Sequence, residues 1–239
     1  MPMGGGGTRF ATAGYQTPKP LIEIYGAPFF YWAVQSVAKF VSLKTLTFVV
    51  LQKHVEQFQI DKKILKLYPN AHVVVIPAVL PGTVMTCQVG LEQVANSEPI
   101  LLNDCDHLFI CNSFYNFCKD ENFNDIDAGL LIFQSNDDKF SYAECNASGY
   151  VIRTIEKQVI SAMAICGAYY FKNKELFTKA VEVYLNNCTY AEPFISGVYN
   201  ILSQWKLKIK PFTVDKHISF GTPEEYMQAQ HDNTYLLLK

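Results

Sequence analysis

Short runs of β-branched and long aliphatic residues alternate along this chain with amphipathic segments. That rhythm limits the possible folds more than any other feature. Residues 46–51 (LTFVVL) and 73–76 (VVVI) are unbroken apolar runs. A strand with one wet face would alternate, so an unbroken run fits a strand covered on both faces. A shorter run at 100–102 stops at Asn103-Asp104, and 129–133 (GLLIF), 163–171 and the alternating stretch 206–214 add further strands. Helical patterns lie between them. Pro28, after Gly26, suits the first turn of a helix in which Phe29, Trp32, Ala33 and Val37 recur at helical spacing. Residues 84–94 and 174–185 read the same way. The alternation predicts an α/β fold, a Rossmann-like three-layer sandwich with a mainly parallel central sheet. Residues 140–155 break the rhythm with two strand-like pieces around Asn146-Ala-Ser-Gly149, which predicts a small inserted β-hairpin lid. With no repeat or linker, residues 1–239 are expected to form a single domain, with a lid subregion at 136–172.

Charge and cysteine usage narrow the function classes. The 20 Lys+Arg residues against 22 Asp+Glu leave a net charge of −2, so the chain lacks the basic field of a dedicated nucleic-acid binder. An anionic ligand must instead be held by local cations or backbone amides. The 49% hydrophobic content excludes global disorder, and no apolar run approaches the roughly 18 residues of a membrane span. The seven cysteines are odd in number, lack CxxC spacing and sit among apolar neighbours, as buried thiols in a reducing compartment do. Asn146-Ala-Ser and Asn187-Cys-Thr match the glycosylation pattern, but no signal peptide precedes them. A cytoplasmic protein is expected, with no nucleic-acid or membrane partner.

The strongest local signal is Gly4-Gly5-Gly6-Gly7-Thr8-Arg9-Phe10, followed by Thr17-Pro18-Lys19-Pro20-Leu21. Glycines let the backbone approach a polyphosphate and turn its N–H groups inward. Arg9 and Lys19, ten residues apart, would add two positive charges, with Pro18 and Pro20 holding Lys19 in an extended segment. The loop is neither a Walker sequence nor a dinucleotide-binding GxGxxG. Only Met1-Pro2-Met3 precedes it, so the strand that should lead into it is either very short or begins upstream of this sequence.

A second cluster, Asn103-Asp104-Cys105-Asp106-His107, follows the strand at 100–102. Ligands of parallel α/β sheets bind beyond the carboxyl ends of strands, and two aspartates flanking one residue can offer oxygens to Mg²⁺. His107 is expected to pack or hydrogen-bond locally.

These motifs, with Cys105-Asp106-His107-Leu108-Phe109, Glu156-Lys157 and Gly221-Thr222-Pro223-Glu224-Glu225-Tyr226, resemble the sugar-phosphate nucleotidylyltransferase family in order and spacing along nearly the whole chain. Gly14-Tyr15 before Pro-Lys-Pro makes the chain look closest to capsule and surface-polysaccharide members. The resemblance implies that Gly4, Gly5, Gly6, Gly7 and Thr8 cradle a nucleoside triphosphate, that Arg9 meets its phosphates, and that Lys19 stabilises charge at the reacting α-phosphate. It implies that Gly82 and Thr83 lie beside the nucleotide base, and that Asp106 ligates Mg²⁺. Asp104 stands as a second metal candidate. Lys157 would grip the acceptor phosphate and Glu156 its hydroxyls, with Gly167 in a following Gly-x-Tyr segment. One departure stands out. Many relatives carry a second metal-binding aspartate two residues before Gly-Thr-Pro, where this chain has Ser219. Either Asp104, Asp215 or water is then expected to complete the coordination, or the metal is held more by the nucleotide than by protein. Residues 221–226 also read as a turn capping a final helix, with Thr222 as N-cap and Glu225 as its N3 partner.

The implied activity joins an NTP to a phosphorylated small-molecule acceptor, expected to be a sugar 1-phosphate, with release of pyrophosphate, for surface-polysaccharide precursor synthesis. Three alternatives stay open at this point. They are a cytidylyltransferase for a non-sugar phosphate such as phosphocholine, a GT-A-like glycosyltransferase using Asp104-x-Asp106, and a non-catalytic nucleotide-binding module.

Overall fold

The strand entering the glycine loop is only two residues long. Pro2–Met3 pairs in parallel with Thr47–Leu51, Pro2 opposite Val49 and Met3 opposite Val50. The Met1 ammonium donates to the Thr47 carbonyl at 2.7 Å and ties the strand down. The computed structural model describes residues 1–120 and 125–238. Its chain divides into two units, each assembled from separate stretches. The first comprises Met1–Leu80, Asn103–Ile110 and Lys216–Lys239, and the second Pro81–Leu102 and Cys111–Asp215.

In the first unit Thr47–Leu51 is the central strand of a parallel three-stranded sheet, with His72–Ile76 on its other side. Phe48, Val49, Val50 and Leu51 are all buried, as an unbroken apolar run requires. His72–Ile76 reads equally apolar but lies at the sheet edge, where Val75 is 40% exposed. Helix Phe29–Ala38 buries Phe29, Phe30, Trp32, Ala33, Val34 and Val37, and the Trp32 indole N–H donates to the Ile24 carbonyl at 2.8 Å. Pro28 is the extended N-cap of this helix, one position before its first turn. Two further strands, His107–Ile110 and Lys216–Ser219, pair antiparallel with Ser219 opposite His107. Polar and aromatic residues interrupt their apolar pattern, so neither stands out in the sequence.

The second unit holds a mixed six-stranded sheet. Its path runs Val151–Ile155, Tyr142–Cys145, Met163–Phe171, Ala128–Gln134, Ile209–Thr213, and Ile100–Asn103 also pairs with Met163–Phe171. The expected hairpin is present as Tyr142–Cys145 and Val151–Ile155, and it forms the edge of this sheet. Asn146 closes its turn by accepting the N–H groups of Ser148 and Tyr150 at 3.0 Å each. Helix Ile195–Gln204 buries Ile195, Val198, Tyr199, Ile201 and Leu202. The Tyr199 hydroxyl lies 2.9 Å from both the Gly129 and Tyr170 carbonyls. The helix expected over 84–94 spans Thr83–Gly90, and the one over 174–185 spans Lys174–Asn187, capped by the Asn173 side chain on Leu176 N–H.

The α/β architecture predicted from the alternation is thus the one that forms. All seven cysteines are free, four of them buried. Among the described residues no helix is long and apolar enough to cross a membrane.

Candidate active site

Within the first unit, three stretches distant in sequence, carrying Gly7 with Lys19, Asp106 and Gly221, meet around one ion pair. Lys19 Nζ donates to Asp106 Oδ2 at 2.7 Å, with the two side chains 26% and 23% exposed. Gly7 backs onto Lys19 closely enough that a Cβ there would stand 3.5 Å from the Lys19 Cβ. Gly7 also adopts φ 61°, ψ 30°, a left-handed conformation that suits glycine, and caps the short helix Thr8–Thr12. On the other side a Cβ at Gly221 would fall 2.8 Å from Asp106 Oδ2, so the carboxylate occupies the space a side chain would take. The Phe220 N–H donates to the Asp106 carbonyl at 2.9 Å and fixes that neighbourhood.

Local chemistry explains how each segment arrives. Phe10, 1% exposed, anchors the loop helix by edge-on packing against Tyr15 and Phe29 at 5.2 and 5.8 Å. Lys19 is not extended as its flanking prolines suggest. Pro18 is extended, but Lys19–Leu21 forms a 3₁₀ turn closed by Leu21 N–H to Pro18 O at 2.8 Å. Pro20 sits at N2 of that turn, where its missing N–H leaves no helix bond unmade. Gly221 opens the expected capping box. The Thr222 hydroxyl accepts Glu225 N–H at 3.2 Å, and Glu225 returns a carboxylate to Thr222 N–H at 3.1 Å.

Burial alone would push the Lys19 ammonium down, but the Asp106 carboxylate, aided by Cys105 and Asp104, reverses that and holds it above its ordinary value. Burial works against the Asp106 carboxylate too, yet the adjacent ammonium keeps it below the usual carboxylate range. Burial pushes the neighbouring Cys105 thiol up to about 12, so it is no nucleophile at neutral pH. His107, 3% exposed, hydrogen-bonds Asn103 Oδ1 through Nε2 at 2.9 Å, and Asn103 in turn donates to the Ala33 carbonyl. This histidine is structural, as expected.

Arg9 is exposed on the loop helix, and no described contact brings it to Lys19. Asp104 contributes to the field on Lys19. Among the described residues no group of three or more His, Cys, Asp or Glu side chains could hold a metal ion. Asp215 is committed elsewhere, accepting Asn112 N–H at 2.7 Å, and Ser219 faces His107 across the strand pair. A part-exposed Asp106 carboxylate beside a lysine is a sparse donor set. It fits Mg²⁺ that arrives on polyphosphate oxygens, since that ion binds through one or two carboxylates plus substrate phosphates.

The second unit carries the other expected residues. Gly82 has φ 87°, and a Cβ there would stand 2.5 Å from the Pro193 carbonyl oxygen, so this turn demands glycine twice over. Thr83 begins helix Thr83–Gly90. Glu156 Oε2 accepts hydrogen bonds from Ser141 Oγ and, at 3.0 Å, from Ser196 Oγ. Lys157 is exposed and holds φ 52°, a left-handed backbone uncommon for lysine, while its N–H donates to the Phe140 carbonyl at 3.1 Å. Its ammonium lies 5.1 Å from the Phe194 ring centroid. Gly167, buried at φ 88°, falls in an irregularity between Ile165 and Tyr169, where strand register shifts. No described contact joins it to Glu156 or Lys157.

The segment 193–196 therefore touches three of the residues expected of this unit, Gly82, Glu156 and Lys157. Pro193 backs Gly82, Phe194 underlies Lys157 and Ser196 holds Glu156. Sequence reasoning did not single out Ser141, Pro193, Phe194 or Ser196. None belongs to a motif, and only the fold brings them to the named residues.

The family model for nucleotidyl transferases matches residues 3–234, a span that includes both clusters. The chain belongs to the nucleotidyl transferase family. Comparison with curated proteins finds no match. Among solved structures, this nucleotidyl transferase is similar to a nucleoside-diphosphate-sugar pyrophosphorylase from Vibrio cholerae RC9, at 26% identity and TM-score 0.84, covering 97% of this chain and 100% of that one. Two others are 16% identical and share its fold. One is an inositol-1-phosphate CTP transferase from T. maritima, with 99% and 92% coverage and TM-score 0.75. The other is a protein assigned as a glucose-1-phosphate thymidylyltransferase from Bacillus anthracis, with 96% and 92% coverage and TM-score 0.76. The nucleotidyl transferase is accordingly an enzyme with a Rossmann-like α/β fold.

Proposed function

We propose that this nucleotidyl transferase joins an NTP to a sugar 1-phosphate, releasing pyrophosphate, and that it supplies surface-polysaccharide synthesis in the cytoplasm. The observation that carries the reading is the Lys19–Asp106 pair, framed by Gly7 and Gly221. An acceptor phosphate is already anionic at neutral pH, so its oxygen attacks the α-phosphorus without a general base. What the reaction needs is positioning and positive charge at the equatorial and leaving oxygens.

In this reading Gly4, Gly5, Gly6, Gly7 and Thr8 present backbone N–H groups to the triphosphate, and the exposed Arg9 is available to its outer phosphates. Lys19, fixed in direction by Asp106, meets the charge that develops at the α-phosphate. Asp106, with Asp104 nearby in sequence, would hold Mg²⁺. When bound, that ion neutralises phosphate charge and orients the polyphosphate. In the second unit Gly82 and Thr83 serve the base, and Glu156 and Lys157 the acceptor's hydroxyls and phosphate. Lysine suits that last task, because a compact ammonium meets a terminal phosphate without bidentate geometry. Gly14-Tyr15 supports the polysaccharide assignment, with the Tyr15 ring packed on Phe10. The Vibrio cholerae relative, named for nucleoside-diphosphate sugars, supports the sugar acceptor.

One observation favours a second acceptor class. The Phe194 ring already carries an ammonium, and an aromatic face is what the quaternary cation of phosphocholine would require. A pyrophosphate-release screen of the four NTPs against hexose 1-phosphates, inositol 1-phosphate and phosphocholine tests the proposal. Release that requires both one NTP and one sugar 1-phosphate supports it. Release with phosphocholine alone, or with no acceptor, overturns it.

A further inference from the structure

We infer that Ser141 and Ser196 are positioning residues that set acceptor recognition, by pinning one oxygen of Glu156 so that the other is presented to an acceptor hydroxyl. The inference rests on the proposed acceptor role of Glu156. Both serine hydroxyls donate to the same atom, Oε2. A hydroxyl has a single proton to give, so the donor of each serine is committed to this carboxylate. Neither bond satisfies Oε1, which keeps its lone pairs for a donor such as a sugar hydroxyl.

The clamp is rigid because its three members come from three anchored elements. Ser141 is 9% exposed, and its carbonyl accepts the Ile165 N–H of the long central strand at 2.8 Å. Ser196 is 2% exposed in the first turn of helix Ile195–Gln204, and its carbonyl accepts the Thr154 hydroxyl at 2.6 Å. Glu156 follows strand Val151–Ile155 directly, and Asn200 of the same helix locks that strand end, pairing with the Thr154 N–H and carbonyl at 2.8 and 3.0 Å. A glutamate on a loop would otherwise sample several rotamers, and ordering it on binding would weaken the complex. With the carboxylate already oriented, that ordering is done before the acceptor arrives. A carboxylate oxygen with lone pairs to spare suits an acceptor that carries a hydroxyl donor, as glucose 1-phosphate and inositol 1-phosphate do and phosphocholine does not.

Steady-state kinetics on the full-length enzyme test this, with glucose 1-phosphate, inositol 1-phosphate and phosphocholine as probes. Ser196→Ala and Ser141→Ala should each raise the KM of the hydroxylated acceptor about three- to tenfold, the scale of one lost hydrogen bond. The NTP KM and kcat should stay within about twofold, the split expected when only ground-state acceptor binding is lost. Ser196→Thr, which keeps the hydroxyl, should restore the KM. In a Glu156→Gln background Ser196→Ala should add little, because the two residues act as one unit. An equal rise in NTP KM, an undiminished serine effect in the Glu156→Gln background, or turnover of phosphocholine alone would overturn the inference. If Glu156→Gln itself leaves the acceptor KM unchanged, or no probe is turned over, the acceptor reading beneath it falls and the inference with it.

Discussion

Replacing Lys19 by methionine removes a charge while keeping most of the side-chain volume, and its consequences can be worked from the geometry. The ammonium sits 2.7 Å from Asp106 Oδ2 with both side chains about a quarter exposed. Deleting one partner of a fully buried pair costs about 3–5 kcal/mol, whereas exposed pairs contribute about 0–1 kcal/mol. The residual exposure places Lys19→Met between these limits, at about 2 kcal/mol of lost stability. Urea unfolding at pH 7 should show it as a lower midpoint with an unchanged slope. Adding Asp106→Asn should recover part of the loss, because no uncompensated charge is then left. The pH dependence has a definite sign. The folded Asp106 carboxyl titrates below its unfolded counterpart, so its contribution is present above about pH 4 and fades as pH falls toward the folded value. Lys19 titrates above its unfolded value, so its contribution is complete below about pH 10 and is lost only above that. The gap between wild type and Lys19→Met should therefore be flat from pH 6 to 9 and close in acid. In the kinetic assay kcat should fall by about two to three orders of magnitude, with a much smaller change in NTP KM. A stability loss below about 0.5 kcal/mol, or a double variant weaker than both single ones, would refute the argument that this pair is desolvated. Wild-type turnover would remove Lys19 from the chemistry.

Asp106→Asn should abolish most Mg²⁺-dependent turnover while Asp104→Asn is milder; a Mg²⁺ titration of initial rates in which Asp104→Asn is the worse reverses their roles. Lys157→Ala should raise the acceptor KM about tenfold, the loss of one charge-assisted contact, and leave NTP affinity by calorimetry nearly unchanged. Equal losses for both substrates would contradict its placement at the acceptor. Gly82→Ala should destabilise the fold by about 2–4 kcal/mol in thermal or urea unfolding, since its Cβ would enter the Pro193 backbone at a left-handed φ. A neutral result would show that this turn relaxes freely.

The sequence exposed those parts of the fold whose physics is local. Residues 47–51 and 163–171 were readable as strands because each is a run without charged residues, rich in β-branched side chains in the first and ending on three aromatic rings in the second. The Thr222–Glu225 capping box was readable for the same reason, since both partners lie within one turn. Strands His107–Ile110 and Lys216–Ser219 were hidden because each mixes polar with apolar residues and finds its ladder partner in the other, more than a hundred positions away. The candidate site divides the same way. Gly7, Lys19 and Asp106 sit in motifs dense with glycine, proline and charge, so they were named, but that Lys19 turns to grip Asp106 across 87 positions was not visible. Gly221 was seen as part of a helix cap and not as the gap that admits a carboxylate. Ser141, Phe194 and Ser196 carry no local signal at all, and their meaning comes wholly from what they touch.

In the proposed reaction an acceptor phosphate oxygen displaces pyrophosphate from the α-phosphorus of an NTP. The most direct measurement is a ³¹P NMR time course of the wild-type enzyme with Mg²⁺, the NTP selected by the screen and glucose 1-phosphate. Two coupled diphosphate-ester resonances should grow in step with free pyrophosphate, one product molecule for each pyrophosphate. Growth of nucleoside monophosphate with pyrophosphate, or of nucleoside diphosphate with orthophosphate, would mean that water or another bond is attacked, and would contradict the account.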